Sequence, residues 1–170
     1  MVLHRFLLIL GVSIFAGCVS MAGHGDGRSV AGSDDGAAAA AILDLLRTSG
    51  IPAEPASDTK SVFVYRGGMS TLLSPIVQSD GLDRIVATRS YAPAPGHSDE
   101  DLRVLAGRLN ESLNVGVFSV DGGALVFQSQ MTFFDRLQSD ELIAFLGWLD
   151  AAELAITRVD GSAGVLLISR

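Results

Sequence analysis

One cysteine, Cys18, is all the thiol this chain carries. That excludes an intrachain disulfide framework and a thiolate zinc cluster. Cations are scarce too: 12 Lys and Arg stand against 19 Asp and Glu, for a net charge of -7. Nucleic acid is neutralised by clustered Lys and Arg, and anionic lipid headgroups attract the same residues, so neither partner is expected. No apolar run reaches the roughly 20 residues that a membrane-spanning helix needs. The signatures GxSxG and HExxH, a phosphate loop and EF-hand spacing are all missing, and no cofactor or metal is expected.

What is present begins with a leader. In 170 residues, 48% hydrophobic, there is material for one domain with a buried core plus extensions. His4 and Arg5 make a short basic start, and Phe6 to Ala16 is an apolar run of 11 residues. This is the pattern of a signal peptide, ending in Phe15-Ala16-Gly17-Cys18. Small residues before a cysteine directly after the apolar run resemble a bacterial lipobox, with Phe15 where Leu is usual. Residues 1–17 then read as the signal peptide and Cys18 as the lipidated first residue of the mature chain. The alternatives are secretory cleavage after Ala22 or an uncleaved anchor. Val19 rather than Asp after the cysteine favours the outer membrane, periplasmic face.

Residues 18–36, rich in Gly, Ser and Asp without apolar period, read as a flexible tether. His24, Asp26 and Asp34 on it lack the preorganisation that a metal site requires. The domain is placed at 37–157. Ser33 and Asp34 cap a helix over Ala37 to Thr48, which Gly50 stops. Pro52 and Pro55 keep the helix from resuming. Three strand-like runs follow: Ser61 to Arg66, Met69 to Gln78 and Leu82 to Tyr91. Gly67-Gly68 and Asp80-Gly81 turn between them. Pro75 makes the second run an edge or bulged strand. Ser98 caps a second helix with its apolar stripe at Leu102, Leu105, Ala106, Leu109 and Leu113. Val115 to Val120 and Ala124 to Phe133 flank the Asp121-Gly122-Gly123 turn. Ser139 caps a third helix running to about Ala155, with Leu142, Phe145, Leu146 and Leu149 on its core face. Residues 158–170 form a tail with a short strand at Val165 to Ser169. The fold class is therefore α+β: an antiparallel sheet with packed helices, in the order α-β-β-β-α-β-β-α.

The residues with chemistry to offer are few. His97 is the one histidine beyond the tether, and it lies beside Ser98, Asp99 and Asp101. Capping of the helix start explains that cluster more simply than a triad or a calcium site does. Asn110 and Asn114, one turn apart, share a face. They either tie the helix end to the neighbouring strand or make polar contacts at a partner or dimer surface. Trp148, off the core stripe of the third helix, joins them as a candidate contact. Phe63, Tyr65, Phe118, Phe127, Phe133, Phe134 and Trp148 read mostly as core, with a subset able to line a groove.

From about Ala40 to Leu154 the chain resembles the YbjN family, bacterial domains with a type III secretion chaperone-like fold. The resemblance is carried by the element order and by Leu109-Asn110 with Leu113-Asn114 closing the middle helix. It is carried also by the strand-DGG-strand unit and by Ser139-Asp140-Glu141-Leu142 opening the last helix ahead of Trp148. It implies a sensory or regulatory role and binding of protein segments, and it supplies no catalytic residues. The lipobox departs from it, since chaperones of that fold work in the cytoplasm.

Three functions fit. The first is a membrane-anchored, non-catalytic binding domain of the cell envelope, recognising a protein or peptide, or forming a homodimer. The second is a small-ligand or lipid-binding lipoprotein with a closed apolar pocket. The third is a hydrolase using His97. The leader yields a direct prediction. Several acyl chains on Cys18 hold a protein to a bilayer at about 0.8 kcal/mol per buried CH2. Cys18→Ser should therefore move the protein from the membrane to the soluble fraction on ultracentrifugation. Unchanged partitioning would rule out lipidation as the anchor.

Overall fold

In a computed structural model, which describes residues 29–30, 32–78, 82–134 and 136–166, the first helix begins where the sequence supplies a cap. Asp34 Oδ1 accepts the Ala37 N–H at 2.9 Å and opens α1, Asp35–Thr48. Ile42, Leu45 and Leu46 are its buried stripe. Gly50, at φ +72°, closes it in the left-handed conformation that glycine adopts without steric cost. Residues 1–28, including the leader, Cys18, His24 and Asp26, lie outside the described residues, as does the Asp80-Gly81 turn.

The main sheet has six antiparallel strands: β2 Ala53–Pro55, β3 Val62–Arg66, β4 Met69–Ile76, β5 Leu82–Tyr91, β6 Val117–Asp121 and β7 Ala124–Phe134. Their order across the sheet is β2-β3-β4-β5-β7-β6. The β3–β4 and β6–β7 hairpins turn on Gly67-Gly68 and Gly122-Gly123, all with positive φ. Such two-residue turns match the right-handed twist of the strands they join. Helix α2, Asp99–Ser112, and helix α3, Ser139–Asp160, complete the layer begun by α1. A separate two-stranded ladder pairs β1, Ser29–Val30, with β8, Leu137–Gln138.

One face of the sheet meets the helices. Direct partners in an antiparallel ladder share a face, and Leu73, Ala87, Tyr91, Leu125 and Phe127 are partners or neighbours on the same one, each at most 2% exposed. Leu102, Leu105 and Leu109 of α2, and Leu142, Leu146, Leu149 and Ile156 of α3, close on them. The fold is a two-layer α+β structure with three helices on a six-stranded antiparallel sheet. Among the described residues no helix is long and apolar enough to cross a membrane.

Several expectations need correction. Residues 18–36 are not all tether: Ser29–Val30 pairs with Leu137–Gln138, and α1 already starts at Asp35. Pro52 and Pro55 do more than bar a helix, because Ala53–Pro55 forms β2 against β3. β4 is interior rather than an edge. Its last rung to β3 is Leu73 with Val62, so Pro75 lies past the end of that neighbour and its missing N–H costs no ladder bond there. The cap of α3 is Gln138, whose N–H is accepted by Glu141 Oε2 at 2.9 Å; Ser139 is the first helical residue. That helix runs past Ala155 and past the domain end at 157, because Ile156 is fully buried and nothing breaks it before Gly161.

The tail is tied down on its near side. Asp160, 6% exposed, accepts the N–H groups of Val165 and Leu166 at 2.9 and 3.3 Å. Leu166 bridges Pro93, and Ala94 N–H donates to Val165 O at 2.7 Å. The expected strand at Val165 to Ser169 is thus a single bridge as far as Leu166.

The start of β6 also shifts, from Val115 to Val117. Gly116 is the reason. A Cβ there would overlap Gln128 O and lie 2.7 Å from Phe127 Cε2. The chain crosses β7 too closely for a side chain, and regular pairing begins only beyond it. Gly116→Ala forces backbone against backbone, so it should cost about 1–3 kcal/mol of stability. A lowered urea midpoint at unchanged slope checks this; an unchanged midpoint would show that the crossing can relax.

Candidate functional site

Arg89 sits at the centre of the helix–sheet interface. The alternation that buries Ile85, Ala87 and Tyr91 on β5 puts Arg89 on the same face, 2% exposed. Every nitrogen of its guanidinium is engaged. Nε donates to Thr71 Oγ1 at 2.8 Å, and Nη1 donates to Leu149 O at 3.0 Å and to Glu153 Oε2 at 3.4 Å. Nη2 meets Asp150 Oδ1 at 3.0 Å. Arg66 reaches the other oxygen of Asp150 at 3.1 Å, where the group opens to solvent. Tyr91 OH donates to Glu153 Oε2 at 2.6 Å. Burial first, then this hydrogen bond to a carboxylate, push the Tyr91 hydroxyl well above the usual phenol range. It stays protonated and acts as a donor, not as a base.

The cluster joins three strands to one helix and holds two cations against two carboxylates. Its chemistry is that of a clamp. Each guanidinium nitrogen already donates to a protein oxygen, and the carboxylates accept from it.

A second feature lies where β6 stops short. An open groove of about 670 Å³ runs between the α2–β6 connection, β7 and α3. Asn114, Gly116, Val117, Gln128, Gln130 and Trp148 are among its lining residues. The groove carries no charged side chain among its lining residues. Trp148 is 41% exposed and stacks on Phe145 with ring centroids 6.1 Å apart; Val117 is 64% exposed. The volume lies within the usual range for ligand sites. By contrast, the hollow between α1 and β2–β3, lined by Ala39, Leu43 and Val62 among others, holds about 190 Å³, well below that range.

The three candidate contacts separate. Asn114 and Trp148 both line the groove. Asn110 does not join them. Its carboxamide accepts the Phe118 N–H at 2.9 Å and donates to Phe118 O at 2.8 Å, tying α2 to β6. Of the two readings open for Asn110, the bond to the neighbouring strand is the one its geometry makes. His97 forms no triad with its neighbours. Ser98 Oγ donates to Asp101 Oδ2 at 2.8 Å rather than to the imidazole, and His97 Nδ1 lies 3.8 Å from that carboxylate. The Ser98 N–H, at 2.7 Å, and its hydroxyl hold Asp101 below the usual carboxylate range, as expected of a capping box. Among the described residues no three His, Cys, Asp or Glu side chains gather where they could hold a metal ion.

No family model, curated protein or solved structure matches this chain.

Arg89 and Gly116 are absent from the candidates read off the sequence, though each left a signal. Arg89 lies two residues beyond Ala87 in a clean period of two. Gly116 interrupts a strand pattern, which marks a bulge or a close backbone approach. The clamp makes a prediction. Arg89→Leu leaves Glu153, 15% exposed, with its countercharge removed and should cost about 3 kcal/mol. The double variant Arg89→Leu with Glu153→Leu removes both charges and should recover part of that loss. Urea denaturation of the two variants tests this, and a double variant less stable than the single would refute the clamp.

Proposed function

We propose that this chain is an envelope-anchored, non-catalytic interaction module, and that the groove between Asn114 and Trp148 is where it docks an extended, uncharged protein segment. The observation that carries the reading is the uncharged groove itself, walled by an exposed tryptophan in a chain of net charge -7. Trp148 with Val86, Val115 and Val117 suits apolar side chains, while Asn114, Gln128 and Gln130 offer hydrogen bonds to a peptide main chain. Between α1 and α2 stand four strands, β2–β5, one more than the order read from the sequence, so the resemblance to the YbjN family and its chaperone-like fold rests on the sequence motifs. Anchoring through Cys18, and with it the outer-membrane address, rests on the leader pattern.

Trp148 is the sole tryptophan of the chain, so its emission reports on this groove alone. With the protein held dilute, titration of an acetylated, amidated Thr-Val-Thr-Val-Thr peptide should shift that emission to shorter wavelength as water leaves the indole. Val117→Lys places a solvated charge on the rim and should weaken the peptide about tenfold, or 1.4 kcal/mol. Emission that ignores the peptide, or a Lys variant that binds it equally well, would count against the groove as the docking site.

A further inference from the structure

The two faces of α3 are both apolar. Leu142, Leu146, Leu149, Ala152 and Ile156 bury the inner one. On the opposite side Asp140, Ala144, Gly147, Ala151, Leu154 and Arg158 recur at alternating intervals of four and three, and all six are exposed. That spacing is the seam of a heptad pattern, which one helix presents to another at a shallow crossing angle. The solvent face of a surface helix is ordinarily polar. Here no polar side chain interrupts the seam between its two ends, and Leu154 on it is 63% exposed.

Gly147 is a second, separate sign. Glycine is the poorest helix former after proline, because it gives up the most backbone freedom. Yet it stands in the middle of α3, where an added Cβ would meet nothing within 4 Å. Its own fold makes no use of the missing side chain. A second helix crossing there does, since small residues at the contact let two helix axes approach to about 8 Å.

We infer that this face of α3 seats the same face of a second copy, packed antiparallel about a two-fold axis level with Leu149. Charge and size set the register. In an antiparallel pair a step forward along one helix is a step back along the other. Asp140 of each copy then meets Arg158 of the other, at both ends of the seam. Between them Ala144 meets Leu154, and Gly147 meets Ala151. Acid faces base, the one large side chain faces a small one, and the smallest pair lies beside the axis, where the helices come closest. A parallel pair would instead set Asp140 on Asp140 and Arg158 on Arg158. Sliding one helix by a turn would leave all four charges unanswered. Among the described residues neither Asp140 nor Arg158 has an ion-pair partner in its own chain, so both are free for this one. Asp150, on the flank near the axis, brings its own cation, Arg66 at 3.1 Å, and so adds no bare like charge. The contact is isologous and closes on two copies. A single helix pair falls at the low end of specific interface sizes, about 1,200 Å² or less in total, so pairing should depend on concentration. The inference does not depend on the groove, which lies on the flank of α3 that carries Trp148.

Light scattering of the full chain, reduced and in mild detergent, should show the protein mass rising from one chain to two between micromolar and millimolar concentration. Asp140→Lys and Arg158→Glu should each weaken pairing about tenfold at low salt with circular dichroism unchanged, because each sets two like-charge pairs at the ends of the seam. Mixed in equal amounts, the two variants should pair as the unaltered chain does, since only the mixed pair puts an acid opposite a base at both ends. Leu154→Ser moves no charge and should also weaken pairing about tenfold, by removing apolar area from two layers at once. A single-chain mass over the whole range overturns the pairing. So does a double mass that the charge variants or Leu154→Ser retain undiminished. Charge variants that pair no better mixed than alone overturn the antiparallel register.

Discussion

Arg89 is the charge on which the two layers meet. A guanidinium held at 2% exposure is tolerable only when its donors are answered, and here they are answered by both layers at once. Thr71 comes from the sheet; the Leu149 carbonyl, Asp150 and Glu153 come from α3. The helix must therefore sit at one height and one rotation on the sheet. Apolar packing alone would permit α3 to slide, because Leu142, Leu146 and Leu149 differ little in shape. The bonds from Arg89 and Tyr91 do not permit it. Whether such a group adds net stability is a separate matter, since desolvation offsets much of the attraction. Its firm consequence is positional.

That position sets the groove. Trp148 lies one residue before Leu149, whose carbonyl Arg89 holds, and two before Asp150. Fixing that turn of α3 fixes the indole at the open edge of β7. The opposite wall is fixed by Gly116, which lets the chain after α2 pass against Gln128, and by Asn110, which ties α2 to Phe118. Three local constraints, none of them itself a binding contact, bring Asn114 and Trp148 to one groove from 34 positions apart in the sequence.

The fold was legible wherever a single period or cap decided it. Leu82 to Tyr91 alternates and is a strand over that range; Ser98 with Asp101 opens α2; two glycine pairs make the hairpin turns. What escaped was what depends on partners remote in sequence. Ser29–Val30 and Ala53–Pro55 are too short to show a period and become strands only because Leu137–Gln138 and β3 lie beside them. Pro75 argued for an edge because local chemistry cannot reveal that β3 stops two residues earlier along the ladder. The site divided in the same way. Trp148 could be singled out because it leaves the stripe of its own helix. Asn110 and Asn114 share a helix face in sequence yet have different tasks, because only one of them lies within reach of Phe118.

The open edge of β7 is the least expected feature on these terms. A sheet that shields one flank with proline, charge and brevity at β2, and the other with the Asn110 amide at β6, is built under the ordinary pressure against stray pairing. Among the described residues no strand pairs with Ser129 to Phe133 of β7 on the β6 side, and leaving that uncharged stretch bare beside an exposed tryptophan runs against the same pressure. Gly116 is what creates the gap, since a residue with a Cβ there could not cross so near Gln128. The same backbone contact that shortens β6 thus opens the slot that a further strand can fill.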